Sequence, residues 1–222
     1  TLNTTILYNV ATGAFSAGPN MTTARERHTA TLLPSGKVLI TGGRASGGSS
    51  SDSDDVSYTV LNTAEVYDPA ANTFTATPIM NSRRDSHAAV LVGGKVLVAG
   101  GGNSTGTVAT AEIYDPAANT WTATGSMQAA RRGHTFTVLT NGKVLAAGGK
   151  NSTGRLNSAE LFDPTLSTFQ PITAAMNAYR AAHTATLLPD GNILIVGGKG
   201  GSTSAANTSV NTAELYGGPP GP

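Results

Sequence analysis

The sequence predicts an all-β fold assembled from about four copies of one four-stranded antiparallel unit. Three recurring features carry this prediction: an Arg-x-x-His pattern, a pair of short apolar runs of which the second ends in Gly-Gly, and an Ala-Glu-x-Tyr or Ala-Glu-x-Phe segment. Each feature occurs four times in the same order. Short strands that repeat with a period of roughly 50 residues are typical of the blades of a β-propeller.

The first element of each unit is a strand that opens at a histidine, three residues after an arginine. These pairs are Arg25 and His28, Arg84 and His87, Arg131 and His134, and Arg180 and His183. The second element is a β-branched and aliphatic run that ends at a glycine pair. The pairs are Gly42-Gly43, Gly100-Gly101, Gly148-Gly149 and Gly197-Gly198.

The third element carries a glutamate, and the fourth carries a single aromatic residue. The glutamates are Glu65, Glu112, Glu160 and Glu214, and the aromatics are Phe15, Phe74, Trp121 and Phe169. This pattern resembles the kelch repeat over nearly the whole chain. The resemblance implies a kelch-type β-propeller, and it implies little about function because such propellers include both binding modules and enzymes.

The repeats define one propeller domain over residues 1–216. We expect N-terminal strands within 4–21, followed by blades at approximately 28–80, 86–127, 134–176 and 183–216. Residues 217–222 are Gly and Pro and are expected to form a linker or tail. The chain opens with strands of the third and fourth type and closes after a third, so we expect part of a larger propeller or one completed by other chains. The alternative is a compact closure that pairs the Phe15 strand with the last blade.

Composition narrows the class of partner. Charged residues make up 12% of the chain and the formal net charge is +1, so nucleic acid is not an expected partner. No apolar run approaches the roughly 20 residues of a membrane helix, and no membrane span is expected. There is no Cys. A surface rich in Thr, Ser and Asn and poor in Lys favours an extracellular or cell-surface location on a bacterial protein.

The two faces of the predicted disc differ in regularity. Tight hairpins and Asp-Pro turns share one face, which we call the regular face. The opposite face, the variable face, combines the Arg-x-x-His links with loops of unequal length at 44–61, 102–110, 150–158 and 199–211. Because unequal loops on a repeated scaffold commonly carry binding, we place function on the variable face.

The repeated Arg, His and Glu side chains admit two interpretations. Four equivalent histidines could form a ring of metal ligands around a central channel. We favour a structural role for all twelve side chains, since four Arg and four Glu at matched positions predict ion pairs within or between blades.

The residues of the variable face that break the repeat are the ligand-binding candidates. Arg, Asp and Tyr on a concave rim are suited to hydrogen-bonding and stacking on sugars or peptides. The candidates are Arg27, Arg44, Tyr58, Arg83, Asp85, Arg132, Arg155 and Tyr179, with Glu26, Lys150 and Lys199 beside them.

One acidic loop is a candidate calcium site. Asp52, Asp54 and Asp55 alternate with serines and supply the hard oxygen ligands that Ca²⁺ prefers. The loop lacks the glycine and distant glutamate of a complete calcium-binding loop, so we favour a solvated loop. No other cofactor is expected.

The enzyme hypothesis rests on similarity to the galactose oxidase family. That family's copper radical centre depends on a tyrosine crosslinked to a cysteine, and this chain has no Cys. We therefore expect a non-catalytic binding or assembly module that presents variable loops to a protein or glycan. The alternatives are a structural subunit that polymerises by strand exchange between open blades, and an enzyme of unrecognised type, such as a carbohydrate-active one, with its site on the variable face.

Overall fold

Four stacked antiparallel sheets, preceded by an isolated hairpin, make up the computed structural model, which describes residues 1–47, 57–202 and 208–217. The all-β prediction and the four-stranded antiparallel unit are confirmed. The N-terminal hairpin consists of β1 (Ile6–Asn9) and β2 (Ala14–Ala17).

The strands of the first repeat are β3 (Thr29–Leu32), β4 (Val38–Thr41), β5 (Arg44–Ser46), β6 (Tyr58–Val60), β7 (Ala64–Asp68) and β8 (Thr73–Ala76). Those of the second are β9 (Ala88–Val92), β10 (Lys95–Ala99), β11 (Gly102–Asn103), β12 (Gly106–Thr107), β13 (Ala111–Asp115) and β14 (Thr120–Ala123). The third repeat has β15 (Thr135–Val138), β16 (Val144–Ala147), β17 (Ala159–Asp163) and β18 (Thr168–Pro171). The fourth has β19 (Thr184–Leu187), β20 (Ile193–Val196), β21 (Lys199–Gly200), β22 (Thr208–Ser209) and β23 (Ala213–Tyr216).

Each sheet is a meander. The hydrogen-bonded orders are β3-β4-β7-β8, β9-β10-β13-β14, β15-β16-β17-β18 and β19-β20-β23. Three small hairpins, β5-β6, β11-β12 and β21-β22, project from the connections between the second and third strands. These segments were expected to be loops, and the small hairpins are additional structure within them.

Turn chemistry keeps the regular face tight. Gly93 and Gly94 join β9 to β10 with φ values of 57° and 78°, the backbone that a two-residue hairpin requires. Lysines at these hairpins meet aspartates of the neighbouring turns: Lys37 with Asp68 at 2.8 Å, Lys95 with Asp115 at 2.8 Å, and Lys143 with Asp163 at 3.0 Å.

The core lies between consecutive sheets. Leu39 of the first sheet packs with Val96 and Tyr114 of the second, and Leu97 of the second packs with Val144 and Phe162 of the third. A third cluster joins the last two sheets through Leu145, Ile193 and Ile195. Alternate side chains on each inner strand therefore face opposite neighbours, as face-to-face packing of blades requires.

The ends of this stack stay open. Within the described residues β2 pairs with β1 alone, and the last sheet contains three strands. The compact closure between the Phe15 strand and the last blade is therefore not the arrangement in this structure. The stack is an arc of blades whose first and last sheets are unpaired with each other.

The described residues contain no helix of the length and apolarity needed to cross a membrane.

Candidate functional site

The repeated arginines anchor each blade from within. Nη1 of Arg131 donates to the carbonyl oxygens of Gly148 at 2.7 Å and Ser158 at 3.1 Å, while Nη2 donates to Ser158 Oγ and to Glu160 Oε1 at 2.7 Å. Arg25, Arg84 and Arg180 make the corresponding contacts to Glu65, Glu112 and Glu214. Each pair joins the link before the first strand to the third strand of the same blade.

The glutamates also accept hydrogen bonds from the backbone segment that leads into their blade. Both carboxylate oxygens of Glu160 accept backbone N–H groups, from Gln128 at 2.7 Å and Ala129 at 3.0 Å. A hydroxyl two residues before each glutamate completes the network, and it was not among the predicted structural residues. The recurring Thr-Ala-Glu or Ser-Ala-Glu triplet was its signal: Thr63, Thr110, Ser158 and Thr212.

The histidines connect neighbouring blades. Nε2 of His87 lies 3.0 Å from the hydroxyls of both Thr29 and Thr41 in the preceding sheet, and Nε2 of His183 lies 3.1 Å from Thr135. His134 occupies the same buried position, but among the residues that the structure describes neither of its ring nitrogens has a hydrogen-bond partner. The corresponding residues of the preceding sheet are alanines, Ala88 and Ala99.

Burial keeps these imidazoles neutral. Desolvation, assisted by the Arg84 and His28 charges, lowers the pKa of His87 to about 3. Desolvation and Arg180 lower the pKa of His183 to about 4. His28 is exposed because no inner strand precedes it. Among the described residues no group of three or more His, Cys, Asp or Glu is arranged to hold a metal ion.

A ladder of backbone hydrogen bonds runs across the blades at the variable face. The residue before each histidine has a positive φ: Arg27 (55°), Ser86 (51°), Gly133 (63°) and Ala182 (53°). Its N–H donates to the carbonyl of the equivalent residue in the preceding blade, at 3.0 Å for Ser86 to Arg27, 2.9 Å for Gly133 to Ser86 and 2.8 Å for Ala182 to Gly133. This ladder fixes the rim on which the candidate side chains stand.

Pairs of residues beside the ladder give each blade a different charge. In the first blade Glu26 faces Arg44 and forms an ion pair at 2.6 Å. The equivalent pairs are Asp85 with Gly102, Arg132 with Lys150, and Ala181 with Lys199. Positive charge therefore accumulates on the third and fourth blades.

Five cationic side chains surround one cavity of about 550 Å³, which we call the basic mouth. They are Arg27, Arg132, Lys150, Arg155 and Lys199. The rest of its described lining is small: Ser86, Gly133, Ala181 and Ala182. The structure thus brings together three of the predicted ligand-binding residues, Arg27, Arg132 and Arg155, with the two neighbouring lysines.

Lys150 lies among other cationic side chains that line the basic mouth. Partial burial, followed by the charges of Arg132, Arg155, Lys199 and Arg27, lowers the pKa of Lys150. In the described part of the chain, Arg132, Lys150 and Lys199 form no ion pair, whereas Arg27 lies 3.8 Å from Glu26. Such a cluster can hold anionic groups by charge-assisted hydrogen bonds.

The remaining candidates lie elsewhere on the variable face. Arg44 stacks on Tyr58, with its guanidinium carbon 3.7 Å from the ring centre, and Arg83 donates to the Val60 carbonyl at 2.8 Å. Asp85 is 5% exposed and its backbone pairs with Gly102. Tyr179 is exposed. The proposed calcium ligands Asp52, Asp54 and Asp55 lie outside the described residues.

Comparison with known proteins identifies the repeat. The model of the KLHDC2/KLHL20/DRC7 Kelch-repeats domain matches residues 2–208. No curated protein matches the chain. Among solved structures, "Structure of YjhT" superposes with a TM-score of 0.73 at 15% sequence identity, over 96% of this chain and 72% of that one, a likeness that concerns the fold. The expected kelch-type propeller is confirmed, and the chain belongs to the Kelch-repeats domain family.

Proposed function

We propose that this chain is a protein-binding module, without catalysis of its own, that holds its partner on the variable face. Kelch repeat domains are typically protein-interaction modules, which supports the general class. The assignment to this face rests on the chain's own structure.

The observation that carries the proposal is the difference in charge between the faces. On the regular face, lysines at the hairpins are neutralised internally, as in the Lys95 and Asp115 pair. On the variable face, Arg132, Lys150 and Lys199 have no such partner among the described residues, and the projecting hairpins differ from blade to blade. Charged side chains that have no partner within the chain, on loops of unequal length, are suited to pair with charged groups of another protein.

The lining of the basic mouth favours protein over glycan. Stacking on sugars needs an aromatic side chain, and none of the described residues that line the mouth is aromatic. Two projecting turns flank this region with the same sequence, Asn-Ser-Thr-Gly, at 103–106 and 151–154. In each turn the asparagine Oδ1 accepts hydrogen bonds from the threonine and glycine, which holds the turn in a defined shape.

A face-blocking experiment tests the proposal. Peptides that bind the wild-type chain are selected from a displayed library and their affinities measured against two double variants. Ser104→Trp with Ser152→Trp adds bulk to the exposed variable-face turns, and Ala71→Trp with Ala118→Trp adds it to exposed turns of the regular face. We expect at least a tenfold loss of affinity, about 1.4 kcal/mol, with the first pair and little change with the second. Peptides that respond to the second pair instead, or a selection that yields no binders, would refute the proposal.

A further inference from the structure

One buried carboxylate of the variable face has an oxygen to which the described part of the chain supplies no donor. Asp85 is 5% exposed, and its Oδ1 atom has no hydrogen-bond partner among the described residues. The position of Asp85 is fixed, because its backbone exchanges hydrogen bonds with that of Gly102 at 2.9 and 2.8 Å. A buried carboxylate oxygen without a donor raises the free energy of the folded chain, so a group that donates to Asp85 would be stabilising.

Gly102 provides the space beside this oxygen. The equivalent residues of the other blades are long and basic: Arg44, Lys150 and Lys199. In the first blade the basic side chain meets the neighbouring acid, Glu26, at 2.6 Å. The second blade keeps an acid, Asp85, but has glycine in place of the basic residue. The φ of Gly102 is not positive, so the backbone does not require a glycine there, and what distinguishes the position is its lack of a side chain.

Two side chains border this space, which we call the Asp85 recess. A Cβ atom on residue 102 would lie 3.5 Å from Oδ1 of Asp85 and 3.3 Å from Nη1 of Arg132. The recess is therefore narrow and lies between a carboxylate and a guanidinium. Arg132 is partly exposed and also lines the basic mouth. A group that enters from the mouth thus passes Arg132 to reach Asp85.

The charges at the two sides of the recess select the kind of group that fits. An ammonium group could donate to Asp85 but would be repelled by Arg132, and a carboxylate would be repelled by Asp85. A carboxamide donates and accepts through two separate atoms and needs more room. A hydroxyl both donates and accepts through one oxygen, so it can bond to both side chains in a narrow space.

We propose that the Asp85 recess is a subsite of the variable face that takes the hydroxyl of a serine or threonine side chain of the partner protein. The hydroxyl donates its hydrogen to Oδ1 of Asp85 and accepts a hydrogen bond from Nη1 of Arg132. Because both partners are charged, these bonds are stronger than those between neutral groups. The inference rests on the proposed function, to which it adds the residue type that the second blade recognises.

Two substitutions of Gly102 test the chemistry of the recess without any partner. Gly102→Ala and Gly102→Ser both add a Cβ atom, which the end of the Arg132 side chain can accommodate by a small shift, but only the second adds a hydroxyl. We expect Gly102→Ser to melt at a higher temperature than Gly102→Ala. The difference should disappear when each is combined with Asp85→Ala, which removes the acceptor. Equal melting temperatures for the two Gly102 variants would overturn the proposal.

Peptides selected on the wild-type chain test the source of the hydroxyl. Those that respond to the variable-face tryptophan variants should carry a serine or threonine whose replacement by alanine weakens binding to the wild type about tenfold. The same replacement should have little effect on binding to Gly102→Ser, because the chain's own hydroxyl then occupies the recess. An equal loss of affinity with both proteins would count against the subsite.

Maltotriose, a neutral sugar rich in hydroxyls, is the second probe. Calorimetric binding to the wild type that Gly102→Ser abolishes would assign the recess to a glycan and overturn the protein source. A selection without binders would refute the docking proposal, whereas the melting temperatures of the two Gly102 variants still decide the chemistry of the recess. The two proposals can therefore fail separately.

Discussion

Nη2 of Arg131 lies 2.7 Å from Oε1 of Glu160, and both side chains are buried, with exposures of 0% and 2%. Removing one member of a buried pair leaves the other charged and unpaired. Arg131→Ala also leaves the Gly148 carbonyl without its arginine donor. We expect the free energy of unfolding to fall by about 3–5 kcal/mol, measured by urea denaturation.

Lys143→Ala is the matched control for Arg131→Ala. It removes an ion pair of similar length, 3.0 Å to Asp163, but the lysine side chain is 42% exposed. Its cost should be about 0–1 kcal/mol. Equal costs for the two variants would contradict a structural role for the buried arginines.

The second prediction concerns the ring nitrogens of His134, which lack hydrogen-bond partners among the described residues. The hydroxyls of Thr29 and Thr135 lie within hydrogen-bond distance of the histidine of the next blade. The equivalent residue in the sheet that precedes His134 is Ala88, which has no hydroxyl. Ala88→Thr should supply the missing partner and stabilise the chain by about 1 kcal/mol. The reciprocal variant Thr135→Ala should cost about the same by releasing His183. A lower melting temperature for Ala88→Thr would show that the site has no room for the hydroxyl and methyl groups.

These networks show what the sequence could predict and what it could not. Four Arg and four Glu at matched positions of the repeat predict a repeated ion pair, because the same side chains must pack in every blade. The basic mouth had no such signal. Arg27 and Lys199 are far apart in the chain, and they meet only because the blades stack in an arc. The missing hydrogen-bond partner of His134 could not be predicted from the sequence either, because it depends on how neighbouring sheets are aligned.

The third prediction concerns acid stability. Above pH 6.5 the histidines are neutral in both the folded and the unfolded chain. Below it the unfolded chain binds protons that folded His87 and His183, with pKa values of about 3 and about 4, do not. The contribution of these two histidines to the free energy of unfolding is therefore fully present above pH 6.5. It is lost as the pH falls toward their folded-state pKa values.

Between pH 6.5 and pH 5, each of these histidines should lower the free energy of unfolding by about 2 kcal/mol. Most carboxylates stay ionised in this range. Melting temperatures of the wild type and of His183→Gln at both pH values measure the effect. The wild type should lose more stability than the variant. Parallel losses would show that His183 titrates normally in the folded chain.

The last prediction concerns the outer side of the fourth sheet. Val66, Ile113 and Leu161 pack against the following sheet, whereas Leu215 at the same position is 65% exposed. Val196 shows the same contrast. It is 41% exposed, although Thr41, Ala99 and Ala147 at its position are fully buried. The repeat itself shows what covers such a side, namely the inner strands of another blade, so we expect this side to associate with a further blade.

For the 222-residue chain alone, that expectation becomes self-association. Its mass by sedimentation should exceed that of a monomer and rise with concentration. Val196→Lys with Leu215→Lys should shift it toward monomer, because charge on the apolar side opposes burial. Leu166→Lys is the control, since Leu166 is 68% exposed in a turn of the regular face and has no such role. A wild-type monomer at every concentration would argue that this side stays uncovered when no other polypeptide is present.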